Sequence, residues 1–183
     1  MDAEFRVSSS LSWYGLRTKS KHESVTARAL EGQGYQSYLP THRRRRQWSD
    51  RVVESEQPLF PGYVFCRFDA KQRLPIITTP GVVSVVGFGN GPTAIADSEI
   101  EAVRTLVRSG AAVQACDFLP EGHRVRINQG ALEGLQGILL RNKNEWRVVI
   151  SVTMLQRSIA IEIDREWTSP ANEQPQDLRR ITA

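Results

Sequence analysis

The chain has 183 residues, 40% of them hydrophobic, with 24 Lys plus Arg against 20 Asp plus Glu, enough for one ordinary domain or two small ones with cores that need no staples. Cys66 and Cys116 form no CxxC and the three histidines are scattered, so no metal and no cofactor is expected, and a reducing cytoplasm fits best. No secretory pattern opens the chain and no apolar run approaches the ~20 residues needed to cross a bilayer, so membrane and secreted classes are set aside.

After a leader over residues 1–11, Ser12 to Thr18 reads as a strand. Ser20-Lys21-His22-Glu23 then reads as a capping box opening a helix that ends near Gly32 or Gly34. Tyr35 to Pro40 returns to strand character. The run T-H-R-R-R-R-Q-W-S-D-R-V-V-E-S-E predicts a hairpin turning at Ser49-Asp50, and Leu59 to Phe68 a further strand. Asp69 is placed to cap a short helix reaching about Ile77, and Pro80-Gly81 turns the chain into another strand. Asp97 and Ser98 are read as caps of a helix in which Ile100, Val103, Leu106 and Val107 repeat at helical spacing, with Gly110 as its stop. This order predicts an α+β domain over residues 12–110, an antiparallel sheet with flanking helices.

Residues 111–120 show neither period and are read as a linker. Beyond them H-R-V-R-I-N, G-I-L-L-R-N, E-W-R-V-V-I-S-V and S-I-A-I-E-I are short β-branched runs, with R-E-W as a candidate fifth strand, and predict a small β-barrel over 121–169. The polar stretch 170–183 is expected to be disordered. Basic residues outnumber acidic ones 15 to 11 over residues 1–110 and equal them, 9 and 9, over 111–183, so the first domain holds the basic surplus. Of the 24 basic residues 20 are arginine, a bias toward forked contacts to phosphate or carboxylate.

Two features concentrate chemistry. In Q-P-L-F-P-G-Y-V-F-C-R-F, residues 57–68, Pro58 and Pro61 fix φ and remove two donors, so Phe60 and Tyr63 sit on a stiff corner. Such a corner either plugs a core or presents rings to a partner. In R-R-R-R, side chains alternate along a strand, so Arg43, Arg44, Arg45 and Arg46 line opposite faces in pairs. With His42 and Trp48 beside them they suit phosphate contact and base stacking on single-stranded nucleic acid, and a solvated hairpin tip is the plain alternative. Arg17, Lys19 and Arg73 are further basic candidates.

The corner, together with V-R-I-N-Q-G-A-L-E-G-L-Q-G-I at residues 125–138, resembles the NusG family of transcription elongation factors over roughly Ser12 to Trp167. W-Y-G-L-R-T is similar to that family's first strand and the glycine-rich segment to its KOW motif. The spelling P-L-F-P-G-Y and the stretch G-V-V-S-V-V-G-F-G-N-G-P-T-A-I resemble specialised antitermination paralogues of the RfaH or UpxY kind. The resemblance implies an NGN-like domain followed by an SH3-like KOW barrel. It implies that Trp13 or Tyr14, with Phe60 and Tyr63, forms an apolar depression that docks on the clamp helices of the largest catalytic subunit of RNA polymerase. Phe65 and Phe68 are expected in the core.

The same resemblance implies contact with the non-template DNA strand by the first domain. It also implies a barrel partner, a ribosomal small-subunit protein or Rho, met by Leu132, Leu135, Leu155 and Arg157. Many members carry phenylalanine where this chain has those leucines, and the His-Thr-Thr run of RfaH has no match in K-Q-R-L-P-I-I-T-T-P. The β-branched runs of the last third predict a stable barrel and not a helical hairpin.

No nucleophile–base arrangement, dinucleotide loop or G-K-[ST] is present, and Asp97, Glu99 and Glu101 suit a helix's first turn. A binding protein is therefore expected, not an enzyme, and the resemblance implies a monomeric elongation and antitermination factor that holds the polymerase clamp closed and suppresses pausing. The alternative is an RNA-binding or ribosome-associated KOW protein that does not touch polymerase.

Overall fold

β1 (Ser12–Thr18) is buried on both sides, which requires a layer on each face of its sheet. It pairs antiparallel with β5 (Tyr63–Phe68), Tyr14 opposite Cys66 and Leu16 opposite Val64, and on its other side with β6 (Val82–Val85). β2 (Gln36–Tyr38) completes the sheet in the order β2-β5-β1-β6. The computed structural model describes residues 11–47, 52–87, 91–116, 123–142, 145–152, 155 and 157–171.

Alternation along the strands sorts the side chains. On one face Tyr14, Leu16, Val64, Cys66 and Phe68 pack with Ala27 and Leu30 of α1 (Glu23–Gly32) and with Ile76 of α2 (Leu74–Ile77). On the other, Trp13 and Phe65 pack with Ile100, Val103 and Leu106 of α3 (Asp97–Ser109). β3 (Thr41–Gln47) and β4 (Val52–Pro58) pair as a separate ribbon whose expected tip, including Trp48, Ser49 and Asp50, lies outside the described residues.

The second sheet contains β7 (Val113–Cys116), β8 (His123–Ile127), β9 (Gln136–Asn142), β10 (Glu145–Val152), β11 (Arg157–Glu162) and β12 (Thr168–Pro170), in the order β12-β8-β9-β10-β11-β7. All its pairings are antiparallel. β7 falls within the segment expected to be a linker, where Val113–Cys116 continues the sheet beside β11. α3 touches β1 on one side and, on the other, β10 and the turn at Gly130–Leu132. The apolar cluster around Trp13 and Phe65 is therefore continuous with Val125, Ile127, Val148, Ile159 and Ile161 of the second sheet.

Four local expectations change. α1 starts at Glu23 after His22, with no side-chain cap: the cap position falls two residues beyond Ser20, and the Glu23 carboxylate accepts the Gly62 N–H at 2.8 Å. α3 likewise follows Ala96 without a side-chain cap, Asp97 reaching instead to Arg67 at 3.9 Å. β5 begins at Tyr63, not Leu59, since the Leu59 N–H is drawn off to the Pro40 carbonyl at 2.8 Å. Arg165–Trp167 is a 3-10 turn, and the added strand is β12 just after it. Gly110 does end α3, in the left-handed region at φ 66°. No helix among the described residues is long and apolar enough to cross a membrane.

Candidate functional site

The proline-bounded corner is fixed through the Gly62 peptide. Its carbonyl accepts from the Thr18 N–H at 2.8 Å, its N–H donates to Glu23 Oε1 at 2.8 Å, and the Tyr63 N–H closes the turn onto the Phe60 carbonyl at 3.1 Å. Gly62 sits at φ 84° with open space where a Cβ would be. A side chain there meets backbone strain of about 1–2 kcal/mol and no clash.

The corner delivers Phe60 onto Phe65, ring centroids 5.7 Å apart and edge to face, and Phe65 lies 6.2 Å from Tyr38. Phe60 and Trp13 are each 3% exposed and belong to one cluster, with Tyr63 half-buried against it. Tyr14 is 7% exposed on the opposite face, 4.6 Å from Phe68. Of the two first-strand aromatics, it is Trp13 that shares a surface with the corner.

Arg104 joins α3 to these rings. Its guanidinium stands 5.1 Å from the centroids of both Trp13 and Tyr38, and it pairs with Glu101 at 2.6 Å. Burial pushes the Tyr38 hydroxyl up to about 12, opposed by the Arg104 and Arg108 charges. Burial likewise raises the Cys66 thiol to about 12, as suits a small hydrophobe and not a nucleophile.

The second sheet reaches the same surface. A Cβ on Gly15 would stand 2.7 Å from Leu155 Cδ2 and 3.3 Å from Val86 Cγ2. Leu155 is thus seated where β1 has no side chain, and it is 5% exposed. Of the other positions expected to meet a barrel partner, Leu135 is buried, Leu132 is half-buried and Arg157 is exposed.

The basic candidates are spread out. Arg43 is exposed and lies opposite Glu56; Arg44, Arg45 and Arg46 lie opposite Ser55, Glu54 and Val53, their side chains outside the described set. Arg17 is exposed on β1 between Tyr63 and Ser84 of the flanking strands. Exposed Lys19 follows, its N–H donating to the Gly81 carbonyl at 2.9 Å, and exposed Arg73 precedes α2. Among the described residues no three His, Cys, Asp or Glu side chains form a group that could hold a metal.

Gly15, Glu23 and Arg104 were missed as site residues. An isolated glycine in a strand signals close approach of another group, so Gly15 was readable. In the sequence Glu23 reads as a helix-capping residue, and nothing in the spacing ties Arg104 to Trp13.

Fold and site together define a chain whose two larger antiparallel sheets have a helix between them, beside a two-stranded ribbon, the first sheet carrying a locked aromatic corner. Residues 11–104 match the family model described as NusG, transcription termination factor nusG. The chain is 32% identical over 132 residues to the transcription termination/antitermination protein NusG of Lactococcus lactis, covering 69% of this chain and 70% of that one. It is 26% identical over 167 residues to the protein of the same name from Campylobacter jejuni, covering 82% and 92%. A solved structure titled "Domain interaction in Thermotoga maritima NusG" has the same fold, with TM-score 0.52 at 19% identity over 88% of this chain and 98% of that one. The chain belongs to the NusG family.

Proposed function

We propose that this protein is a transcription elongation and antitermination factor of the RfaH or UpxY-like branch, which docks on the clamp helices of RNA polymerase through Trp13, Phe60 and Tyr63. The observation that carries the reading is the doubly hydrogen-bonded Gly62 peptide, which holds Phe60 and Tyr63 at one fixed bend beside Trp13. A preorganised aromatic surface spends little ordering entropy on binding. Docked across the polymerase cleft, the first domain acts as a brace and shifts the population from paused toward elongating complexes. Arg43 to Arg46, with Arg17, Lys19 and Arg73, supply phosphate contacts to the exposed non-template strand. The second sheet engages a ribosomal protein or Rho.

The same surface is closed in the free chain, since Phe60 is 3% exposed and Leu155 fills the Gly15 notch. In this reading docking requires the second sheet to leave, and the apparent affinity is reduced by the fraction of closed molecules. The test is binding of the full chain to an RNA polymerase elongation complex at fixed physiological salt, with Tyr63→Ala beside it. Truncating a central aromatic anchor costs about 2 kcal/mol or more, roughly a thirtyfold weaker Kd. Equal binding by parent and variant removes the corner from the interface and favours the RNA-binding or ribosome-associated alternative.

A further inference from the structure

A cleft of about 490 Å³ opens where the C-terminal end of α3 meets the second sheet, away from the aromatic corner; one of its lining residues, Leu132, is also an expected barrel-partner contact. Ser109 and Ala111 line it from the helix side, and Leu132, Ile163, Asp164 and Trp167 from the other. Its volume is within the range of small-ligand sites.

The aromatic wall is built, not incidental. Gly130, at φ 80°, brings its backbone so near the indole that a Cβ would lie 3.2 Å from Trp167 Cζ3, and the Trp167 carbonyl accepts the Asn128 N–H at 2.8 Å. The indole nevertheless stays 39% exposed. Leu132 and Ile163 add an apolar floor continuous with the core.

The charge on this wall has one sign. Glu162 and Asp164 both line the cleft, and none of its lining residues is cationic. Glu162 is already paired with Arg147 Nη2 at 3.2 Å. The exposed Asp164 carboxylate has no side-chain partner among the described residues. The negative end of the α3 dipole points the same way. An aliphatic stem tipped with a planar cation meets all three features: apolar floor, indole face and free carboxylate.

We propose that this cleft receives an arginine side chain from an extended segment of a partner protein, the guanidinium paired with Asp164 and lying over Trp167, the stem on Leu132 and Ile163. The occupant bridges α3 and the second sheet, because both supply the lining.

The test uses the full chain labelled with 5-fluorotryptophan, whose four indole resonances are read by fluorine NMR, Trp167 being assigned with Trp167→Phe. The probe is the blocked tripeptide acetyl-Leu-Arg-Leu-amide, with acetyl-Leu-Gln-Leu-amide as control. The Trp167 resonance should shift saturably with the arginine peptide, with a Kd on the order of a millimolar or tighter, and stay in place with the control. Asp164→Asn, an exposed and conservative change, should weaken the arginine peptide about fivefold or more. An unsaturated shift, an equal response to the control peptide, or unchanged affinity in Asp164→Asn overturns the proposal. So does a Trp167 resonance that moves in the peptide-free chain on Arg179→Gln/Arg180→Gln while peptide affinity rises, because the occupant is then the chain's own end.

Discussion

Replacing Gly15 by alanine isolates the contact between the two sheets. The new Cβ would lie 2.7 Å from Leu155 Cδ2 and 3.3 Å from Val86 Cγ2. Overpacking of that kind costs about 1–3 kcal/mol. Within β1 alone, alanine is a better strand residue than glycine by several tenths of a kcal/mol. Leu155→Ala, at a position 5% exposed, should cost about 2–5 kcal/mol and leave room for the Gly15→Ala methyl. The two changes are therefore coupled. Equilibrium unfolding in urea of the parent, both single variants and the double variant reads that coupling. Gly15→Ala should destabilise the parent by about 1–3 kcal/mol and be neutral or mildly stabilising in the Leu155→Ala background. A coupling energy near zero would mean that Leu155 does not occupy the notch in solution, and the closed arrangement would fall with it.

Other outcomes follow from individual contacts. Glu23→Ala leaves the Gly62 N–H without its acceptor, a loss of about 1–3 kcal/mol, read as a lowered Tm; Glu23→Gln, which keeps an oxygen acceptor, should recover most of it. Arg104→Ala removes the cation over Trp13 and Tyr38 and its pairing with Glu101, and should cost about 1–2 kcal/mol in urea. Folding raises the Tyr38 pKa from 10.0 to about 12, so the folded state retains a proton that the unfolded chain releases. The contribution is complete below pH about 10 and is lost as pH climbs toward 12. Phenolate absorbance should show a late-titrating component that disappears in Tyr38→Phe; an unchanged late component in Tyr38→Phe, or none in the parent, refutes it. Cys66, raised to about 12 and buried, should resist a thiol reagent until the chain unfolds.

Strand and helix order through Gly110 was readable because local signals agreed with tertiary ones: helical spacing in Ile100, Val103 and Leu106 and turn residues at Pro80-Gly81 predicted the elements found. Caps were less readable, since a carboxylate near a helix start has competing partners. Glu23 serves Gly62 and Asp97 approaches Arg67, both far along the chain. β7 escaped notice because an edge strand of four residues shows too little alternation to register. The corner's stiffness was legible in Pro58 and Pro61. Its burial was not, because Phe60 packs on Phe65 in one cluster with Trp13, and the seat of Leu155 at Gly15 joins residues 140 positions apart, contacts that no periodicity encodes.

Docking of the locked corner on polymerase brings Tyr63 within reach of the partner's surface. The most direct measurement places a photo-activatable cross-linking amino acid at Tyr63 in the full chain, illuminates it with an RNA polymerase elongation complex, and identifies the product. A cross-link to the largest catalytic subunit is expected, stronger when Gly15→Ala is also present because the second sheet then leaves more readily. No cross-link to any polymerase subunit, in a chain shown to be folded and with Gly15→Ala included, contradicts it.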